Sequence, residues 1–204
     1  MKNKFAMGCG IFLVVILVIG IIIVASVIGK YNTLVKLDET VKEKWSQVEN
    51  VYQRRLDLIP NLVETVKGYA KHEKDTFIQV TEARSKAGGM LNVSDKVLSD
   101  PAMFQKFQQV QGQLSSALQR LMVVVEKYPD LKANENFLAL QSQLEGTENR
   151  IAVERKRFNE AAKDYNIYRK KFPTIFIANM MGFGEKSYFK SQQGAEHAPK
   201  VKFN

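Results

Sequence analysis

The 204 residues carry 30 Lys and Arg against 21 Asp and Glu, a net charge of +9, with two His and a single Cys at position 9. Beyond residue 30 there is no thiol for nucleophilic catalysis, and a zinc site would need carboxylates for most of its ligands, an uncommon set. Residues 1–30 hold three Lys and no acid, so residues 31–204 keep 27 basic against 21 acidic side chains, on a length that can bury one good core.

Residues 1–10 form a short basic leader with Lys2 and Lys4. Ile11 to Gly29 follow without a charge, mostly Ile, Val and Leu, and Lys30 closes the run. At about 1.5 Å of rise per residue, a helix of this length nearly matches the roughly 30 Å hydrocarbon core of a bilayer. The run exceeds a signal-peptide core, and the nearest cleavage candidates, Ala25-Ser26-Val27 and Val27-Ile28-Gly29, put Val in a small-residue position. Cys9 precedes the run, whereas a bacterial lipid-modified Cys follows one. Residues 11–29 are therefore expected to stay as a single-pass anchor, with cleavage the competing reading. Lys2 and Lys4 on one side and Lys30, Lys36, Lys42 and Lys44 on the other leave the orientation undecided by the positive-inside rule. Gly20 has no G-x-x-x-G partner, so self-association is expected to depend on the rest of the chain.

Leu34, Leu37, Val41, Trp45, Val48, Tyr52 and Leu56 recur at steps of three or four, the stripe of an amphipathic first helix that can continue the anchor. Pro60 is expected to end it, because its ring removes an amide donor and biases Ile59 away from helical geometry. Asp57 is the expected cap of a second helix starting near 58–61, with Leu62, Val66, Tyr69, Phe77 and Val80 inward and Gly88-Gly89 as its stop. A polar loop, Met90 to Ser99, leads to Asp100-Pro101, a cap followed by Pro at the first helical position. Phe104, Phe107, Leu114, Leu118, Leu121 and Val125 mark the third helix, which Tyr128-Pro129 ends. Asp130 or Asn134 opens the fourth, carrying Leu138, Leu144, Ile151, Phe158, Tyr165 and Phe172 to about Lys171.

Short connections make neighbouring helices antiparallel. The expected fold is all-α: one N-terminal transmembrane helix, then an antiparallel up-and-down four-helix bundle with long helices over residues 31–171. No Gly-rich phosphate loop, nucleophile turn or internal repeat is present.

Several ordered motifs are distinctive. They include Tyr31-Asn32-Thr33-Leu34-Val35, Trp45-Ser46-Gln47-Val48, Arg54-Arg55-Leu56-Asp57-Leu58-Ile59-Pro60-Asn61-Leu62-Val63 and Val66-Lys67-Gly68-Tyr69-Ala70. Further on come Tyr128-Pro129, Leu144-Glu145-Gly146-Thr147-Glu148-Asn149-Arg150-Ile151-Ala152, Phe158-Asn159, Tyr165-Asn166, Phe172-Pro173 and Gly182-Phe183. Together they resemble the bacterial LemA family over nearly the whole chain. The resemblance implies a membrane-anchored helical bundle and implies no reaction.

His72-Glu73 lacks a second His one turn on, so the helical zinc-protease motif is absent, and His197 falls in a polar tail. The carboxylates, among them Glu145, Glu148, Glu154 and Glu160, lack the paired Glu-x-x-His motifs of bundle metal sites. No cofactor is expected. Glu148, Arg150 and Arg155 instead suggest a polar layer that fixes helix register, meeting Arg54, Arg55 or Asp57 across the bundle, with ligand binding as the alternative. Arg54, Arg55, Asp57, Pro60 and Asn61 form a dense polar corner at the expected membrane-distal turn. They are a candidate partner surface, against a plain capping role.

The basic charge is spread along helices rich in Glu and Asp, without a nucleic-acid-reading motif, so lipid is the nearer anionic partner. The fourth helix should descend to the membrane, bringing Arg169, Lys170 and Lys171 near headgroups. Residues 172–189 are then an amphipathic membrane-proximal segment, too short to span, in which Ile175, Phe176, Ile177 and Phe183 are candidate lipid contacts. Capping the open end of the bundle is the competing and compatible role. From residue 190 the composition is that of a disordered tail. The expected function is a non-enzymatic scaffold or adaptor of the bacterial cell envelope. It would sit in the cytoplasmic (inner) membrane and bind a protein partner or itself, with no nucleic acid. The rivals are a ligand- or peptide-sensing module and an accessory subunit of a membrane-associated enzyme.

Overall fold

The structure, a computed structural model, describes residues 2–190; most of the tail expected from residue 190 lies outside the described residues. It is all-helical, with no strand among the described residues. The elements are α1 (Lys2–Tyr69), α2 (Lys74–Leu91), α3 (Ser94–Ser99), α4 (Pro101–Val125), α5 (Pro129–Lys132), α6 (Glu135–Lys170) and α7 (Thr174–Met180). An 18-residue window near the start of α1 has a mean hydropathy of 3.3 and is not buried at all, long and apolar enough to cross a membrane.

The largest correction concerns Pro60. The helix does not end there: α1 is one helix of 68 residues running to Tyr69. Pro60 leaves the carbonyl of Leu56 without its normal amide donor. Arg84 of α2 fills the gap, its Nε donating to that carbonyl at 2.8 Å. The ring itself faces outward on an exposed position, so tertiary burial of Leu56, Ile59, Leu62 and Val63 on the other side holds the segment helical. Asp57 caps nothing; it accepts from Gln53 one turn earlier at 2.7 Å. The reversal falls instead at residues 70–73, where Glu73 N–H donates to the Ala70 carbonyl, and His72 is exposed in this turn rather than on a helix.

Gly88-Gly89 does not stop α2 either, since the helix runs on to Leu91 with Ala87 and Met90 buried on either side of the pair. Burial outweighs a glycine penalty of about 1 kcal/mol each. The expected polar loop from Met90 to Ser99 contains the short helix α3, whose Val97 is fully buried. Asp100 does cap α4, accepting from Ala102 N–H with Pro101 at the first position. Asn134, not Asp130, caps α6 by accepting from Phe137 N–H, after the single turn α5. Phe137 is the buried residue where Leu138 was expected, and Tyr69 and Phe172 also lie exposed rather than inside.

α1 meets α6 along its length: Tyr69 with Asn134, Arg55 with Glu148, and Trp45 with Phe158. α2 lies on α1 through Lys67 with Phe77 and Leu56 with Arg84. The core divides in two. One cluster holds Leu56 to Ala70 with Phe77, Val80, Leu114 to Val125, Leu131, Phe137 and Leu144. The other, nearer the apolar end of α1, holds Leu34 to Tyr52 with Phe104, Phe107, Ile151, Phe158, Tyr165, Ile177 and Phe189.

The Pro60 arrangement has a measurable consequence. Arg84→Met should destabilise the chain by about 1–3 kcal/mol by orphaning the Leu56 carbonyl. In a Pro60→Ala background the new amide can serve that carbonyl, so the same substitution should cost clearly less. A double-mutant cycle read by the fluorescence of Trp45, the one Trp, measures the difference.

Candidate functional site

Arg55 is buried on α1 and its neighbour Arg54 is exposed. Arg55 follows Val48 and Tyr52 at helical spacing and precedes Ile59, so it falls on the inner stripe. It is 2 % exposed. Its Nη1 donates to Glu148 Oε1 at 2.9 Å and to Ser115 Oγ at 3.1 Å, its Nη2 donates to Gln111 Oε1, and its guanidinium lies 5.0 Å from the Tyr52 ring centre. The layer sits where the two apolar clusters meet, between Tyr52 and Leu56 on α1 and between Leu144 and Ile151 on α6.

Of the three residues expected in a polar layer, the structure brings only Glu148 to Arg55. Glu148 belongs to the layer, paired to Arg55, while Arg150 is exposed and takes no part. Gln111 and Ser115 of α4 complete it, and nothing in the local pattern of α4 marked them. Arg155 lies one step nearer the membrane end, donating to the Lys190 carbonyl at 2.9 Å and covering the Phe189 ring at 4.6 Å. Burial pushes the Tyr52 hydroxyl up, against the pull of Arg155 and Arg55. The expected corner of Arg54, Arg55, Asp57, Pro60 and Asn61 is not a corner. Arg54, Asp57, Pro60 and Asn61 are exposed along the side of an unbroken helix, and Arg55 is inside.

A cleft of about 490 Å³ runs over this layer, lined by Tyr52, Arg55, Gln111, Ser115, Glu148 and Arg155 among others. Arg55 Nε and Gln111 Nε2 are buried without a hydrogen-bond partner among the described residues.

The second constellation was not anticipated. After α7 the chain runs back along the helical body as an extended strap to Lys190. Asn166 donates to the Lys186 carbonyl and accepts from the Lys186 amide; Asn159 does the same with Phe189. Tyr165 donates to the Gly184 carbonyl, and Gln108 of α4 accepts from the Lys190 amide. Phe189 thereby enters the aromatic cluster of Trp45, Phe104, Phe107 and Phe158, with ring centres 4.9–6.4 Å away. Lys186 Nζ meets Asp38 at 2.7 Å. Burial raises the Asp38 carboxyl, but hydrogen bonds from Lys186 and Lys42 outweigh it and hold the group below its usual range. Tyr165 is pushed up to about 12 by burial and by Asp38. The segment expected to lie on lipid from 172 to 189 is, over 183–189, packed on the protein.

The LemA family profile matches residues 44–203. The chain belongs to the LemA family. It is 30 % identical over 200 residues to the magnetosome protein MamQ 2 of Paramagnetospirillum magneticum, covering 90 % of this chain and 74 % of that protein. Magnetosome protein MamQ of Magnetospirillum gryphiswaldense is 27 % identical over 188 residues, 85 % of this chain and 69 % of its own. Protein LemA of Metamycoplasma hominis is 24 % identical over 166 residues, 81 % and 71 % respectively. The family match covers the Arg55 layer and the Asn159 and Asn166 ladder alike.

Two outcomes follow. Arg55→Ala should cost about 2–4 kcal/mol, since it strands Gln111, Ser115 and a half-exposed carboxylate, while Arg54→Ala should stay within about 0.5 kcal/mol. Urea unfolding followed by Trp45 emission compares them. Asp38 has a folded pKa below its unfolded value, so it stabilises the strap above about pH 4 and loses that contribution as pH falls through the lowered value. Asp38→Asn should speed amide exchange at Lys186 and Phe189 at neutral pH by an amount equivalent to roughly 1.5–3 kcal/mol. The wild-type protein, after correction for intrinsic rates, should approach the variant only in acid.

Proposed function

We propose that this LemA-family protein is a non-enzymatic, single-pass protein of the bacterial cytoplasmic membrane whose helical body is a scaffold binding a protein partner or further copies of itself. The observation that carries this reading is the continuity of α1 from its apolar end to Tyr69. A helix without a joint carries the body rigidly, and the 40 residues from Lys30 to Tyr69 reach roughly 60 Å from the lipid boundary. The pairings of α1 with α6 and of α1 with α2 support reading α1, α2, α4 and α6 as an antiparallel up-and-down four-helix bundle, each long helix reversing on the last. Apolar side chains left exposed on its flanks, such as Val123, Leu138 and Val153, are candidate contact points.

A photo-crosslinking residue at Val123, Leu138 or Val153, introduced in the native membrane, tests the proposal. The expected result is a discrete crosslinked species, either a defined protein or a dimer of this chain, formed at one face and not at the others. Uniform absence of crosslinks at all three positions in a folded, membrane-inserted protein would overturn the scaffold reading.

The cleft over Arg55 favours one alternative, a sensing module. Two buried donors without partners, Arg55 Nε and Gln111 Nε2, line a polar recess, and buried donors normally find an acceptor. A small acidic ligand is the chemistry that would satisfy them. Native mass spectrometry of the intact protein distinguishes this case: a co-purifying small molecule lost in Gln111→Leu supports it, and a bare protein mass opposes it.

A further inference from the structure

The helix α7 has two faces of different character. Thr174, Ile177 and Ala178 are buried in the core cluster that also contains Leu34, with Val27 packed against it. On the opposite side Phe176 is 65 % and Met180 72 % exposed, one helical turn apart on α7, and Phe172, just before the helix, is 82 % exposed and extends the row. The rings of Phe172 and Phe176 touch edge to face at 5.9 Å. Such a row of large apolar side chains in water is not a neutral surface feature.

Its level in the molecule gives the occupant. Phe183, just past α7, meets Tyr31 edge to face at 5.8 Å, and Val27 packs against the core that holds Ile177 and Ala178. Both α1 residues flank Lys30, where the apolar stretch of α1 gives way to polar sequence. The exposed row therefore stands beside the point at which a spanning α1 leaves the bilayer. The expected basic triplet does not lead this contact. Arg169 is turned inward onto the Phe183 carbonyl at 2.6 Å and Asn179 at 2.9 Å, and Lys170 pairs with Glu185 at 2.7 Å. Lys171 alone of the three has neither an inward hydrogen bond nor an ion pair among those contacts.

We infer that α7 is an interfacial foot: Phe172, Phe176 and Met180 insert into the boundary between headgroups and acyl chains of the same bilayer that α1 crosses. The contact is apolar, so it needs no anionic lipid. With two points of attachment, the span and the foot, the body cannot tilt freely against the membrane, and the end that carries α7 stays at the bilayer surface. The inference rests on α1 spanning a bilayer, which the test reads separately.

The full chain, with Cys9→Ser removing its one thiol, is given a single environment-sensitive dye at Phe176→Cys, Val18→Cys or Val123→Cys and reconstituted in phosphatidylcholine vesicles. Helix content by circular dichroism verifies the fold of each. The dye at 176 should be quenched by nitroxide-bearing lipid roughly threefold or more beyond the dye at 123, and shielded from aqueous iodide. Neither result should change in high salt or on adding anionic lipid. Equal iodide access at 176 and 123, with no lipid quenching at 176 while 18 is quenched, overturns the foot and leaves the span intact. Absence of lipid quenching at 18 overturns the span and the foot together. Shielding at 176 that disappears on dilution with excess lipid shows that a second copy covers the row, and quenching lost in high salt shows a charge-led contact; either overturns the apolar foot.

Discussion

The unbroken run of α1 through Pro60 is the constraint from which the other elements take their places. A proline in a helix interior leaves one carbonyl without its donor and normally costs about 3 kcal/mol. Here the free carbonyl is Leu56, and Arg84 reaches it from α2. The bond converts a local defect into a tie between α1 and α2 at a fixed register. It also moves the reversal from residue 60 to residues 70–73, lengthening α1 by more than two turns. With α1 that long, α6 can lie beside it from Asn134 to the far end, and the residues of both helices pair in a single register.

Arg55 performs a related function across the body. A guanidinium this deeply buried depends on having its donors met, and three groups from two other helices meet three of its five: Gln111 and Ser115 of α4 and Glu148 of α6. The apolar clusters on either side repeat at every helical turn, so hydrophobic pattern alone sets the register less sharply than a charged group does. A slide would leave Arg55 facing carbon, so the layer selects one register, the best-attested use of a buried polar group. Glu148 is 42 % exposed, so solvent screens the ion pair and geometry matters more here than Coulomb energy.

Periodicity alone recovered most of the interior. The stripes on α1, α4 and α6 predict Trp45, Phe104, Phe107, Leu144, Phe158 and Tyr165, all buried, because 3.6-residue spacing is a local property. Caps were equally readable at Asp100. Errors arose where a distant group outweighed a local signal. Pro60 reads as a terminator until Arg84 is known to lie above Leu56, and Gly88-Gly89 reads as a stop until the burial of Ala87 and Met90 is known. The position of Arg55 was available from the stripe itself, three residues after Tyr52 and four before Ile59. Reading it as one of a polar pair with Arg54 obscured that. The strap could not be read at all: Asn159 and Asn166 look like ordinary exposed helix amides, and their partners lie 20 and 30 residues away in a segment with no repeating pattern.

That strap changes where the domain ends. By composition the body closes at Lys171, yet the aromatic cluster around Trp45 is incomplete without Phe189. The halves of the core differ accordingly. The membrane-distal half is filled by α1, α2, α4, α5 and α6, whereas the half near the apolar end of α1 borrows Ile177, Ala178 and Phe189 from beyond α6. The borrowed residues are fixed by amide pairs on α6 and by Lys186 on Asp38 of α1. Residues 183–190 are thus bound to the stretch of α1 that follows its apolar run, and the family match extending to residue 203 agrees with a domain that does not stop at α6. Stability at this end of the body and the position of the strap are one property of this fold: whatever displaces the strap uncovers Trp45, and whatever protects the cluster around Trp45 keeps the strap down.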